Sequence, residues 1–361
     1  MTAPAGLGAR VRDRPEPRVD GIDAARGLAL TGMFVAHVAP AAATPELAEL
    51  IAIADERPRL LFALTAGFGL GFLTGGIRPV TQGRWVLRRQ LAVRAVILIA
   101  LGLIIGATLH PLVFIILDVY GVAFLIMLPL LFLPARVALG LGAALLAVAP
   151  GLAMAAQYAP ELMAAREGDA RLLFDWLLTG AYPVIVWVPV MLIGLGLARL
   201  GAADARAVPR YALVGALTAV VMLPLTRLLP AEADATASPA EHAISASALA
   251  LGNVGVGLVV VATMVALTAR ARPAVTRIAR PVLAPLTAMG AMPLTIYTLH
   301  LVAISAAKRV EDGVVTDDSW ALTVGLIVGG MAFAWLWRRY LGRGPLERLL
   351  RAASGRGRGE V

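Results

Sequence analysis

The feature that most constrains this chain is a series of apolar stretches, each about 20 residues long, recurring from end to end. A helix of that length rises about 30 Å, the thickness of the hydrocarbon core of a bilayer. Ten such stretches can be read, at 21–43, 58–77, 91–109, 114–133, 137–156, 182–200, 211–229, 246–268, 287–307 and 319–337. Only 15% of the 361 residues are charged and 59% are hydrophobic, whereas a soluble domain carries about a quarter charged residues. No polar stretch is long enough to build a second core. The sequence therefore predicts an all-α, polytopic transmembrane helix bundle of about ten spans. It has a basic N-terminus over 1–20, a single membrane domain over 21–337 and a basic tail over 338–361. Residues 1–18 are rich in Arg and Pro and lack the short apolar core of a signal peptide, so the first apolar helix is expected to remain as a span. With no cysteine, thiolate and disulfide chemistry are excluded.

The net charge of +9 would suit a nucleic-acid binder, but the charge is sorted by side. Alternate connections, beginning with the N-terminus and ending with the tail, hold 23 arginines, while the other set holds six basic residues and most of the acidic ones. Basic residues collect on the cytoplasmic side of membrane proteins. Both termini are thus expected in the cytoplasm, in a multi-pass protein of the plasma membrane without a nucleic-acid partner. The outer connection 157–181 is amphipathic through Leu172, Leu173, Trp176 and Leu177 and suits the outer membrane surface. Pro281, Pro285 and Pro293 suggest an interfacial helix before the ninth span, and Asp118 interrupts the fourth.

Within the first span, VDGIDAARGLALTGMFVAHVAP (19–40), ionisable groups stand where a bilayer disfavours them. Arg26 and His37 are eleven residues apart, about 1100° of helix, or three turns plus about 20°. They share a face, separated by about 16 Å along the axis. With the N-terminus inside, Arg26 sits at the cytoplasmic mouth and His37 in the outer half of the bilayer. Asp23 is one turn before Arg26 and can pair with it, and Asp20 suits an N-cap. A guanidinium binds phosphates. An imidazole serves as general base or nucleophile. Together they suit acyl transfer across a membrane, with the phosphate-bearing head of acyl-coenzyme A at Arg26 and its thioester reaching toward His37. Taken singly, each residue also suits a snorkelling arginine and an interhelical histidine.

An Arg, ten residues and a His in the first span, preceded by Asp, resemble the motif of acyltransferase-3 type membrane enzymes. The fuller DGIDAARGLALTGMFVAHVAP is more similar to the heparan-alpha-glucosaminide N-acetyltransferase-like group and the related YeiB-like family. LFALTAGFGLGFLTGG (61–76), LDVYGVAFL (117–125), LLTGAYPVIVWVPVMLIGLGLARLG (177–201), MGAMPLTIYTLHLV (289–302) and RRYLGRGPLERLLR (338–351) resemble further segments of that group, in order, over nearly the whole chain. The resemblance implies a transmembrane acyltransferase. It would take acetyl-CoA or another acyl-CoA as donor and a hydroxyl or amine of an extracytoplasmic glycan or lipid as acceptor. Arg26 would carry donor binding and His37 catalysis.

Other residues join this frame. His300, one turn after Tyr297 and near Thr295, either shares a proton with His37 or bonds a neighbouring backbone group. Arg94 and Arg88, at the cytoplasmic end of the third span, either extend the phosphate site or snorkel. Asp118 and Tyr120 enter the fourth span from outside, and Asp118 suits either catalysis and acceptor orientation or a helix cap. Tyr182 and Trp187 open the sixth span and suit interface anchoring or acceptor contact. Tyr297 also stands on the acceptor side. His110 and His242 are read as solvated, and Asn253 as an interhelical hydrogen bond. The small residues of GFGLGFLTGG and GNVGVGLVV suit close helix packing. Four scattered histidines and no cysteine give no metal-ligand spacing. A homodimer is compatible with the sequence. The rival reading is a transporter or flippase, for which buried Arg, His and Asp are also usual. A membrane scaffold would need no aligned Arg26 and His37.

Overall fold

The computed structural model describes residues 19–204, 206–230, 236–269 and 273–355. The expected basic N-terminal segment up to residue 18 and the end of the tail from 356 lie outside the described residues. The protein is an all-α polytopic bundle. In chain order its helices are α1 (Asp20–Val38), α2 (Pro45–Ala52), α3 (Arg57–Leu73), α4 (Arg84–Leu109), α5 (Leu117–Met127), α6 (Ala135–Ala156), α7 (Pro160–Arg166) and α8 (Arg171–Phe174). A π-helical turn, Asp175–Thr179, follows α8 directly. Then come α9 (Val184–Arg199), α10 (Val208–Thr226), α11 (Pro239–Thr268), α12 (Pro273–Gly290), α13 (Pro293–Ala306), α14 (Trp320–Tyr340) and α15 (Pro345–Ala353). A short antiparallel hairpin, β1 (Arg309–Glu311) and β2 (Val314–Thr316), links α13 to α14.

Each of the ten apolar stretches carries a helix. Helices α4, α6, α10, α11 and α14 are long and apolar enough to cross a membrane. Two bent pairs bring the number to seven: α8 and its π turn with α9, bent by 46°, and α12 with α13, bent by 74°. Both bends have a chemical cause. Pro183 and Pro293 lack the N–H that a continuing helix needs. Helix α5 is shorter than the stretch that predicts it, because Pro129 and Pro134 bound it and the chain turns after Met127.

At the centre lies α9, apolar on every face and buried over fourteen of its sixteen residues. Small residues let it approach α3 closely. A Cβ at Gly67 would strike the Met191 carbonyl, and one at Gly194 the Leu64 carbonyl. Gly255 meets α10 in the same way: a Cβ there would stand 2.6 Å from the Gly215 carbonyl. Trp187 is therefore no interface anchor. It is 1% exposed, edge-on to Tyr120 and Tyr182.

Helix starts follow local chemistry. Ser238 and Glu241 form a reciprocal capping box at α11, Thr44 caps α2 and Ser319 caps α14. Asp20 does not cap α1, since Val19 holds that position; Asp20 stands in the first turn, where a carboxylate favours the helix dipole. Helix α13 borrows its cap from the tail. Glu347, on α15, accepts from Leu294 N at 2.8 Å, Thr295 N at 3.1 Å and Thr295 Oγ1 at 2.6 Å. The tail is thus partly helical and docked. Loss of a capping carboxylate costs about 0.5–2 kcal/mol. Glu347→Ala is expected to lower stability by that amount in a thermal melt of the purified protein, and an unchanged melt would show that the tail does not anchor α13.

Candidate active site

The eleven-residue spacing of Arg26 and His37 survives in the fold, because α1 runs unbroken through both. The far end of α1 is pinned beside His37. Val38 O accepts from Ser319 N at 2.8 Å and from Thr323 Oγ1 at 3.2 Å, both on the entry to α14.

His37 and His300 meet. His37 Nδ1 lies 3.1 Å from His300 Nε2, with the rings stacked at 5.3 Å. His300 Nδ1 lies 2.5 Å from the Tyr297 carbonyl. His300 is 2% exposed, against Phe34 at 4.9 Å on one side and Tyr297 at 4.6 Å on the other. The carbonyl has no proton, so His300 Nδ1–H donates to it. Nε2 of neutral His300 is then an acceptor, and His37 Nδ1–H must donate to it. His37 Nε2 is left with its lone pair and is the nitrogen placed for base or nucleophile chemistry. When Nε2 takes a proton, the charge can be shared along the bond to His300.

At the other end of α1, the Arg26 guanidinium ties three helices together. Its Nη1 donates to Asp23 Oδ1 at 3.0 Å and to the Gly290 carbonyl at 3.1 Å, and its Nη2 donates to the Thr65 carbonyl at 2.9 Å. Glycine at 290 permits this approach, since a Cβ there would strike the Asp23 carbonyl. Arg88 is engaged elsewhere, with Leu128 O at 3.1 Å and the Phe132 ring at 5.3 Å. Arg94 is half-buried on α4.

Asp118 is not a helix cap. Its Oδ2 accepts from Trp176 Nε1, on the π turn, at 2.8 Å, and α5 starts without a side-chain cap. Asp118 Oδ1 is buried with no hydrogen-bond partner among the described residues. The two residues line a cavity of about 1220 Å³ together with Glu56, Arg59, Tyr182, Trp187 and His242. The amphipathic stretch before α9 forms one wall of it, through Arg171, Leu172 and Trp176. Arg59 pairs with Glu56, donates to Ala181 O at 2.9 Å and lies over the Tyr182 ring. Asn253 bonds across helices, accepting from Arg57 Nε at 3.1 Å and reaching Glu56 Oε2 at 3.4 Å. Beside this rim, burial and then the Glu56 carboxylate raise the Asp55 carboxyl above its ordinary value.

His242 is not solvated. It is 2% exposed and stacked on Tyr158 at 5.4 Å, because α11 begins well before its apolar run and carries His242 inside its first turn. Neither His37 nor His300 lines the cavity. Tyr297 stands between: its ring packs on His300, and its hydroxyl accepts from Ile116 N at 3.0 Å, next to cavity-lining Ile115. Tyr120 donates to Phe62 O at 3.3 Å and lies behind Trp187.

Glu56, Arg59 and Trp176 line the cavity, and Arg199 is a buried cation, and the sequence singles out none of these four for such a role. Glu56 and Arg59 stand at a helix entry, where they look like rim charges. Arg199 is 4% exposed and donates to four backbone carbonyls. Its one outward signal is its position directly after the apolar run LIGLGLA. Among the described residues, no group of three or more His, Cys, Asp or Glu is placed to hold a metal ion.

No curated protein matches the chain. Residues 196–356 match a family described as a protein of unknown function, DUF418. Residues 18–225 match the family described as heparan-alpha-glucosaminide N-acetyltransferase, catalytic. That second match covers more than half of the chain and takes in the whole of α1, with Arg26 and His37, and Asp118 with part of its cavity lining; His242 lies beyond it. This protein belongs to the heparan-alpha-glucosaminide N-acetyltransferase catalytic family, a membrane acetyltransferase type.

Proposed function

We propose that the protein is an acyl-CoA-dependent acyltransferase of the plasma membrane. It would move an acyl group, acetyl first among them, from cytoplasmic acyl-CoA to a hydroxyl or amine of an extracytoplasmic glycan or lipid. The observation that carries this is the hydrogen-bonded chain from the Tyr297 carbonyl through His300 to His37, which leaves the lone pair of His37 on Nε2. The arginine sorting supports both termini in the cytoplasm and residues 21–337 as one transferase domain.

On the direct route, His37 Nε2 takes the proton of the acceptor as its oxygen or nitrogen attacks the thioester carbonyl. The C–S bond breaks, and the coenzyme A thiolate takes that proton. On the covalent route, Nε2 itself attacks the thioester carbonyl and the C–S bond breaks to release the thiolate; the acceptor then displaces the acyl group from the imidazole, and the acceptor's proton passes to the thiolate. His300 acts as a positioning residue on either route. The cavity beyond Tyr297 suits the acceptor, since Asp118 Oδ1 is an acceptor awaiting a donor and Tyr182 and Trp187 supply apolar faces. Tyr120 packs behind its Trp187, and Tyr297 bonds Ile116 N beside its Ile115.

The test is calorimetric binding of acetyl-CoA to the detergent-purified protein, with Arg26→Ala and Arg26→Lys beside it and melts of all three. Arg26 bonds three helices, so a lower melting temperature is expected for Arg26→Ala whatever its ligand role. Acetyl-CoA binding to the wild type, weakened about tenfold or more in Arg26→Lys with its melt intact, supports the reading. No binding of acetyl-CoA or of longer acyl-CoA overturns it. The two bent helix pairs then favour the transporter reading, in which broken helices line a permeation path.

A further inference from the structure

A second concave site lies at the Arg26 end of α1, between α12 and α14. Its volume is about 260 Å³, and Asp20, Thr268, Arg280, Trp335, Arg338 and Arg339 line it. Among the described residues, three guanidiniums thus share one pocket with a single carboxylate. Asp20 stands 3.7 Å from Arg280 and 3.9 Å from Arg338, beyond the distance of a good charge-assisted hydrogen bond. Arg280 Nη2 reaches Thr268 O at only 3.3 Å, and Arg280 Nε is buried without a hydrogen-bond partner among the described residues. Arg338 Nη1 touches Thr287 O at 3.2 Å. Arg339 lies over the Trp335 ring at 5.6 Å. Like charges held together in a half-buried pocket repel, and an anion with several acceptor oxygens relieves that repulsion. The volume is below that of a drug-sized site, about 300–1,000 Å³, and suits a phosphate group rather than a whole nucleotide.

We propose that this pocket binds a phosphate ester, held by the forked donors of Arg280 and Arg338 with Arg339 at its rim. Two sources carry that group to this place. One is an anionic phospholipid, whose head groups occupy basic pockets between membrane helices. The other is the donor coenzyme, a source that rests on the function proposed above. Thr287 and Ala288 border the pocket, and Gly290, two residues on, bonds Arg26, so a phosphate here would sit beside the Arg26 clasp.

The experiment compares wild type, Arg280→Gln/Arg338→Gln and the charge-keeping Arg280→Lys/Arg338→Lys, each checked by thermal melt. Coenzyme A binding is read by calorimetry, with inorganic pyrophosphate as competitor on the wild type. Retention of phosphatidylglycerol against phosphatidylcholine is read by native mass spectrometry after reconstitution in vesicles of equal parts of the two. The site is upheld if the Gln pair weakens either coenzyme A binding or phosphatidylglycerol retention about tenfold or more, with the Lys pair between. The ligand lost names the source. If the Gln pair does not fold, the Lys pair and pyrophosphate competition on the wild type decide. Coenzyme A binding and phosphatidylglycerol preference that are both unchanged in the folded variants overturn the site, while wild-type coenzyme A binding leaves the donor reading standing. A wild type that binds no coenzyme A yet keeps phosphatidylglycerol through these arginines sinks the donor reading and upholds the site.

Discussion

Alanine at His37 is expected to lower acyl transfer about 10²–10⁴-fold, the range for loss of a positioned general base, while donor binding and melting temperature stay close to wild type. The second half of this expectation comes from the packing. His37 is only half-buried, and the end of α1 is held through the Val38 carbonyl rather than through the imidazole. Its one side-chain bond goes to His300, which keeps its own bond to the Tyr297 carbonyl. His300→Ala should behave differently. It removes the acceptor that fixes the His37 tautomer, so a smaller loss of about 10–100-fold is expected, the size typical of groups that orient a histidine. The pH profile of kcat should change with it, because Nδ1 and Nε2 of His37 would then share the proton freely. A merely structural His300 would change the melt and leave the profile in place. Full activity in a folded His37→Ala protein would remove the imidazole from the chemistry and leave its contact with His300 as packing.

Sequence showed a helix in each apolar stretch and the α1 pair because both rest on local rules. An apolar run of about 20 residues and an eleven-residue spacing are periodic facts of one helix. His300 was visible as a candidate for the same reason, one turn after Tyr297 on an apolar helix, although its 3.1 Å approach to His37 joins residues 263 positions apart. What stayed hidden depends on how helices cross. Trp187 reads as an interface aromatic because it opens a span, and it becomes core only because α9 is surrounded. His242 reads as a loop residue because α11 begins several residues before its apolar run. Glu347 reads as a tail charge, and its work as the cap of α13 needs the chain to fold back. The Asp118 and Trp176 contact depends on a π turn that the apolar pattern does not encode.

The largest stability effect is expected at Arg199. Its Nη1 donates to the carbonyls of Gly71, Thr74 and Gly76 at 3.2, 3.3 and 2.6 Å. Its Nη2 donates to Thr74 Oγ1 at 2.6 Å and Leu131 O at 2.9 Å. These carbonyls belong to the end of α3 and the turn after α5, where backbone acceptors have run out of helical partners. Water normally satisfies such groups, and an apolar interior cannot. One planar guanidinium serves both chain ends from the end of α9, which is why a cation is tolerated at 4% exposure. Arg199→Leu keeps the bulk and removes the donors. The Gly71 and Thr74 carbonyls keep the N–H groups of Gly76 and Val80, but the Gly76 carbonyl loses its donor and the Leu131 carbonyl keeps only Thr74 Oγ1 at 3.4 Å. With each such group worth about 1–3 kcal/mol before relaxation, a loss of about 2–4 kcal/mol is expected, read as a large drop in melting temperature or failure to purify as a monodisperse protein. Arg199→Lys should recover little, because an ammonium cannot fork across two chain ends. A wild-type melt for Arg199→Leu would mean that relaxed backbone or water meets these carbonyls, and that the arginine only fills space. The contrast with Arg26 is physical. Arg26 bonds the Asp23 carboxylate as well as the Gly290 and Thr65 carbonyls and lies near the pocket of three arginines, whereas Arg199 donates to the carbonyls and the Thr74 hydroxyl given above. Loss of Arg26 should therefore be felt in ligand binding as well as in stability, and loss of Arg199 in stability first.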